Sequence, residues 1–172
     1  MNDICWIPEI IEYKSDKYGT WSDYYDLLYE IFKKDFILSK PNFENKPVNI
    51  RKFPMEFGKE EAFFHITCQD YLHNRDRSPD LRRCERIRWV RAFIEKYNCD
   101  SSLCDDCDGV KVWPEKNGSK EKINIFLEEE RYLVVLEKRP NYYLLITAFY
   151  IDRDHTLEKK VKQYYRHIDN LK

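Results

Sequence analysis

The run Tyr142-Tyr143-Leu144-Leu145-Ile146-Thr147-Ala148-Phe149-Tyr150-Ile151 is dominated by aromatic and branched side chains. A run of this make-up is the strongest strand signal in the sequence, because such side chains pack well on a half-buried pleated surface. Arg139-Pro140-Asn141 turns the chain just before it, and Tyr132–Lys138 reads as its antiparallel partner. Two further strands are expected over about Lys122–Glu128 and Val110–Trp113. Around this sheet the helical period appears three times. Ser22 to about Ile37 has Tyr24, Leu27, Leu28, Ile31 and Phe32 at spacings of three and four, with Ser22 as N-cap. A second helix starts at Ser78-Pro79-Asp80 and runs to about Tyr97. A charged third covers about Arg153–Ile168. Upstream, Val48, Ile50 and Phe53 alternate with polar residues, and Ala62–Cys68 reads as a buried strand, so a β-hairpin is expected there. The sum is an α+β domain. It has an antiparallel sheet of four to six strands, an N-terminal helix, one amphipathic helix packed on the sheet, and a C-terminal helix. The expected segments are 1–45, 46–153 and 154–172.

The charge distribution narrows the function. The formal net charge is -1, yet residues 75–91 hold seven arginines and no lysine. Arginine presents a planar fork of donors that matches a phosphate, whereas lysine is a point charge. A local cluster on a neutral chain points to one anion-recognising site, not a nucleic-acid coat protein. On a helical wheel, Arg83 and Arg86 share the apolar arc of Ile87, Val90, Phe93, Ile94 and Tyr97, with Arg82 adjacent. An arginine on the packing side needs an anion beside it. That anion is either an internal carboxylate such as Glu85 or Glu61, or a bound phosphate near the helix N-terminus. With only 4 glycines the chain lacks the glycine-rich phosphate loops of nucleotide-binding folds.

Among the histidines, His65 stands in an apolar run, while His73, His155 and His167 stand in polar ones. If 62–68 is a strand, Phe63, His65 and Thr67 share a face. An imidazole and a hydroxyl spaced by two can then address one phosphate, with the imidazole as acid or base. The alternative is a core histidine bonded to a backbone carbonyl. Thr147 is the small hydroxyl in the closing strand, and either binds a phosphoryl oxygen or simply favours β structure. Tyr132 and Tyr150 are candidates for base stacking. Cys99, Cys104 and Cys107 could give three thiolates to zinc, but only one CxxC exists, so free thiols in a loop are the preferred reading and no cofactor is expected. The sequence shows neither a leader nor an apolar run of bilayer length, so a cytoplasmic location with reduced cysteines and no membrane partner is expected.

The order His65-Ile66-Thr67, then Arg83-Cys84-Glu85-Arg86-Ile87-Arg88-Trp89, then Tyr132-Leu133-Val134-Val135-Leu136, then Leu144-Leu145-Ile146-Thr147-Ala148-Phe149-Tyr150 resembles the phage-associated branch of the barnase–EndoU–colicin–RelE-like nucleases over roughly residues 46–153. The resemblance implies a metal-independent endoribonuclease, often a toxin of phage or mobile-element conflict systems, that cuts tRNA or mRNA and has an antitoxin or immunity protein. It implies His65 as acid/base residue, Arg83 and Arg86 as phosphate binders and Thr147 as a phosphate contact. Thr67, Arg82, Glu85, Tyr132 and Tyr150 are then candidates for substrate binding. The Glu128-Glu129-Glu130 run and the absence of excess positive charge depart from that pattern. A non-catalytic nucleic-acid- or protein-binding module of the same fold and a small zinc-stabilised domain are the other two readings.

Overall fold

The computed structural model describes residues 6–69, 77–100, 102, 105 and 107–172. The fold is α+β, as expected. Helix α1 covers Ser15–Tyr18 and α2 Trp21–Lys33, continued by a five-residue π turn, Lys34–Leu38. Strands β1 (Asn42–Phe43) and β2 (Lys46–Asn49) follow, then α3 (Glu61–Thr67), β3 (Cys68–Gln69) and β4 (Ser78–Pro79). Helices α4 (Leu81–Glu85) and α5 (Ile87–Glu95) lead to strands β5 (Lys111–Asn117), β6 (Lys120–Leu127), β7 (Tyr132–Lys138) and β8 (Tyr143–Tyr150). Helix α6 (Asp154–Asp169) closes the chain. Among the described residues no helix is long and apolar enough to cross a membrane.

The six-stranded sheet has the order β1-β2-β8-β7-β6-β5. Strands β5 to β8 form the expected antiparallel meander. The β5–β6 connection is Gly118-Ser119, where Gly118 has the positive φ that a two-residue hairpin turn demands. Strand β2 joins the other edge, parallel to β8, through Val48↔Tyr143 and Asn49↔Leu144. One sheet face carries Ile123, Ile125, Leu127, Tyr132, Val134, Leu136, Leu145 and Ala148 into the main core. Facing them are Tyr24, Leu28 and Phe32 of α2, Phe63 and Ile66 of α3, and Val90, Phe93 and Ile94 of α5. The opposite sheet face carries Trp113, Phe126, Leu133 and Val135 toward α6.

Three expectations are corrected. Residues 62–68 do not form a strand paired with 48–53: Glu61–Thr67 is helical, and Val48 sits in β2 between β1 and β8. A seven-residue run that is buried all round has no period to separate a strand from a helix. The N-cap of α2 is Thr20, not Ser22: the Thr20 hydroxyl accepts from Asp23 N at 3.2 Å and the Asp23 carboxylate accepts from Thr20 N at 2.9 Å. The helix expected over 80–97 is two pieces, because Arg86 leaves helical geometry at φ -102, ψ 19. A single wheel therefore does not describe Arg83 and Arg86.

Candidate active site at the edge of β8

Strand β8 is covered by β2 only at Tyr143 and Leu144. Beyond them α3 and α4 lie along its edge. The α4 start is set by Asp80, whose side chain accepts from Arg83 N at 3.0 Å. The pairing between β7 and β8 slips by one residue, with Val135 opposite Thr147 and Leu136 opposite Leu145. The extra residue, Ile146, re-aims the strand so that Thr147 meets the last turn of α3. There the Thr147 hydroxyl donates to the His65 carbonyl oxygen at 3.0 Å. Arg83 donates to the same carbonyl at 2.9 Å and lies 3.4 Å from Thr147 Oγ1. A C-terminal helix carbonyl, which has no partner inside its own helix, is thus satisfied by side chains of two other elements. Three residues singled out in the sequence, His65, Arg83 and Thr147, therefore converge. The convergence runs through the His65 backbone, so Thr147 Oγ and one Arg83 nitrogen act here as a helix cap. Thr147→Val removes one of the two bonds to that carbonyl and is expected to cost about 1 kcal/mol in urea denaturation. A variant as stable as wild type would show that Arg83 alone suffices.

The His65 ring belongs to a second set of contacts. Glu61 and His65 stand one helical turn apart on α3, and Nε2 of His65 lies 3.0 Å from Glu61 Oε1. Arg77 donates to the same carboxylate oxygen at 2.6 Å and stacks over the Phe64 ring at 5.7 Å. Glu61 is 6% exposed. Burial by itself raises its pKa, but the hydrogen bond and charge of Arg77, joined by His65, hold the carboxyl below its ordinary value. An ionised carboxylate on Nε2 fixes the ring and its tautomer and leaves Nδ1 as the nitrogen that can take up a proton.

The other candidates separate into a distinct group around Tyr150. Arg82 lies 4.8 Å, Arg86 4.9 Å and Arg131 6.0 Å from the Tyr150 ring centroid. Arg82 pairs with Asp152. Arg86 is held between Tyr150 and Trp89, 3.7 Å from Glu85, and its buried Nε has no hydrogen-bond partner among the described residues. Burial pushes the Glu85 carboxyl up, against the opposing charge of Arg86. Arg131 donates to the Ile151 and Asp152 carbonyls at 2.8 and 3.0 Å and to Asp154 at 2.8 Å.

Two candidates are placed away from any ligand. Tyr132 is wholly buried between Trp89 and Phe93, so no base can stack on it. Thr67 is buried too, and its hydroxyl donates to the Phe63 carbonyl at 2.8 Å and meets Tyr25 at 2.9 Å. The helical conformation of 61–67 turns it toward α2, where a strand would have aligned it with His65. His155 and His167 lie on α6. Cys99 and Cys107 are buried, and no group of three or more metal-ligating side chains occurs among the described residues. His73, Cys5, Cys104 and Arg75 lie outside the described residues. Three contributors were not singled out from sequence as parts of this site: Glu61 as the partner of His65, Arg77, and Arg131. The Glu61/His65 spacing of four is a signal only once the segment is known to be helical. Arg131 occupies a turn at φ 52 and carries no sequence period. Comparison of the chain with protein-family models, with curated proteins and with solved structures returned no match.

Proposed function

We propose that the chain is an endoribonuclease that cleaves RNA by internal transesterification, with His65 as the general base. The observation that carries this reading is the pairing of His65 Nε2 with a buried Glu61 carboxylate that Arg77 keeps ionised. The resemblance in motif order supports it, and the bond from Arg83 to the His65 carbonyl brings a guanidinium to the same turn of α3. In the reaction His65 Nδ1 takes the proton of a ribose 2′-hydroxyl, which attacks the adjacent phosphorus. The P–O5′ bond breaks, the 5′-oxygen takes a proton from water, the His65 imidazolium returns its proton to solvent, and a 2′,3′-cyclic phosphate remains. Glu61 positions the ring, and guanidinium groups of the arginine cluster oppose the charge that builds on the phosphoryl oxygens. The chemistry itself requires no metal. An effector of phage or mobile-element conflict, restrained by an antitoxin or immunity protein, is the setting that fits such an activity.

The test is cleavage of total tRNA and mixed-sequence RNA in excess EDTA by wild type and His65→Ala. Wild type is expected to leave cyclic-phosphate ends, and His65→Ala to be slower by about 10²–10⁴-fold. Equal rates would remove His65 from the reaction. A second reading, RNA binding without cleavage, is favoured by the three arginines gathered on Tyr150, since guanidinium groups and an aromatic ring suit a nucleic-acid backbone and base. Salt-sensitive retention of intact RNA would support it.

A further inference from the structure

A cleft lies on the sheet face opposite the main core. Register builds it. The cross-strand row Trp113, Asn124, Val135, Thr147 and the row Lys111, Phe126, Leu133, Phe149 both stand on this face. Helix α6 covers the β5 end with Leu157, Val161 and Tyr164. What stays open beside Thr147 and Phe149 is a cleft of about 480 Å³. That volume falls in the range of small-molecule sites, about 300–1,000 Å³.

Its chemistry is divided. The floor is apolar, made by Leu133, Val135, Ile146 and Phe149. The walls carry Lys116, Lys122 and Lys160. The carboxylate that lines the cleft, Glu115, is already 3.6 Å from Lys160. Lys116 and Lys122 form no ion pair among the described residues, and although Glu115 and Glu137 stand opposite Lys122 in register, the lining carries three lysines to one carboxylate. Between floor and walls is Asn124, only 1% exposed, whose Nδ2 lies 3.4 Å from Glu115 Oε2. One Nδ2 hydrogen is taken by Glu115, which leaves the other hydrogen and Oδ1 as the donor and acceptor that can match the edge of a nucleobase.

We propose that this cleft binds a nucleoside phosphate, with the base over the apolar floor, its edge on Asn124, and the phosphate on Lys122 and Lys116. The ligand is a free nucleotide or one unit of an RNA strand, which share this chemistry. The site stands on its own geometry, whether or not His65 cleaves RNA.

The test is titration of the full chain with adenosine 5′-monophosphate and, separately, with a short oligoribonucleotide, followed by NMR chemical shifts. Saturable, salt-sensitive binding is expected with shifts at Asn124 and Phe149. Lys122→Ala is expected to weaken it by about tenfold, as loss of one charge-assisted contact does, and Lys122→Arg to restore it. Lys52→Ala, at an exposed lysine outside the cleft, leaves it unchanged. Similar affinity for monomer and oligomer supports a free nucleotide, and tighter oligomer binding supports a strand unit. No saturation with either, or binding of inorganic phosphate as tight as that of the nucleotide, overturns the proposal. The same samples are assayed for RNA cleavage. Cleavage without nucleotide binding would sink the cleft alone, and nucleotide binding without cleavage would sink the ribonuclease alone.

Discussion

Phe63→Ala is expected to cost about 3–5 kcal/mol of folding stability, in line with other truncations of buried phenylalanine. Phe63 has no exposed surface and contacts four other rings, those of Tyr25, Tyr29, Phe32 and Phe64, with centroids 5.1 to 5.7 Å away. The ring is where α2 meets α3, so its loss opens a cavity between two helices whose backbones are tied elsewhere. Collapse around it is limited because Thr20 and Asp23 fix the start of α2, while Arg83 and Thr147 fix the end of α3. For a chain of this size the melting temperature is expected to fall on the order of 10 °C. Denaturant unfolding followed by tryptophan fluorescence measures it. A loss below about 1 kcal/mol would mean that α3 does not pack against α2 as described.

Glu61→Gln is expected to act on stability and on turnover at once. Its carboxylate is the counter-charge of Arg77, whose side chain is 20% exposed. Removing the negative charge weakens the charge-assisted hydrogen bond that Arg77 donates to Glu61, at about 1.5–3 kcal/mol. The pH dependence follows from the direction of the Glu61 shift. Because the folded carboxyl titrates lower than an unfolded one, its stabilisation is complete above about pH 4.3 and is lost as pH falls through the depressed folded value. Wild type is therefore expected to lose stability on acidification below that point more steeply than Glu61→Gln. On the ribonuclease reading, a ring no longer oriented by a carboxylate lowers kcat by about 10²-fold, with KM nearly unchanged. A variant that loses stability but keeps kcat would assign Glu61 a structural role only.

The sequence was most readable where the chain meets its partner nearby. Strands β5 to β8 are long, bounded by turn residues and joined through short connections, and the sequence places them to within a few residues. The segment 61–67 was not readable, because apolar residues on all sides fit a buried helix and a buried strand equally. That one choice decides the site. A strand aligns His65 with Thr67, whereas the helix aligns it with Glu61, and only the second pairing gives the ring a carboxylate. The break at Arg86 carries no glycine or proline to announce it. It separates Arg83, which joins His65, from Arg86, which joins Tyr150. Asn124 and Lys122 were read only as strand residues, because the cleft they line exists only in the register of four strands.

The parallel contact of β2 with β8 sets the order in which the molecule can be completed. Val48 and Tyr143 pair across 143 - 48 = 95 positions, while each strand of the meander meets its neighbour across a short turn. Local hairpins close quickly, and long loops close late because their entropy must be offset before any contact forms. The His65 carbonyl finds Thr147 only after that long closure, so a growing polypeptide holds the imidazole and its carboxylate well before it holds the strand that fixes them. Completion of the Thr147 cap on α3 is thereby tied to synthesis of the last strand, and a truncated product ending before β8 lacks that cap altogether.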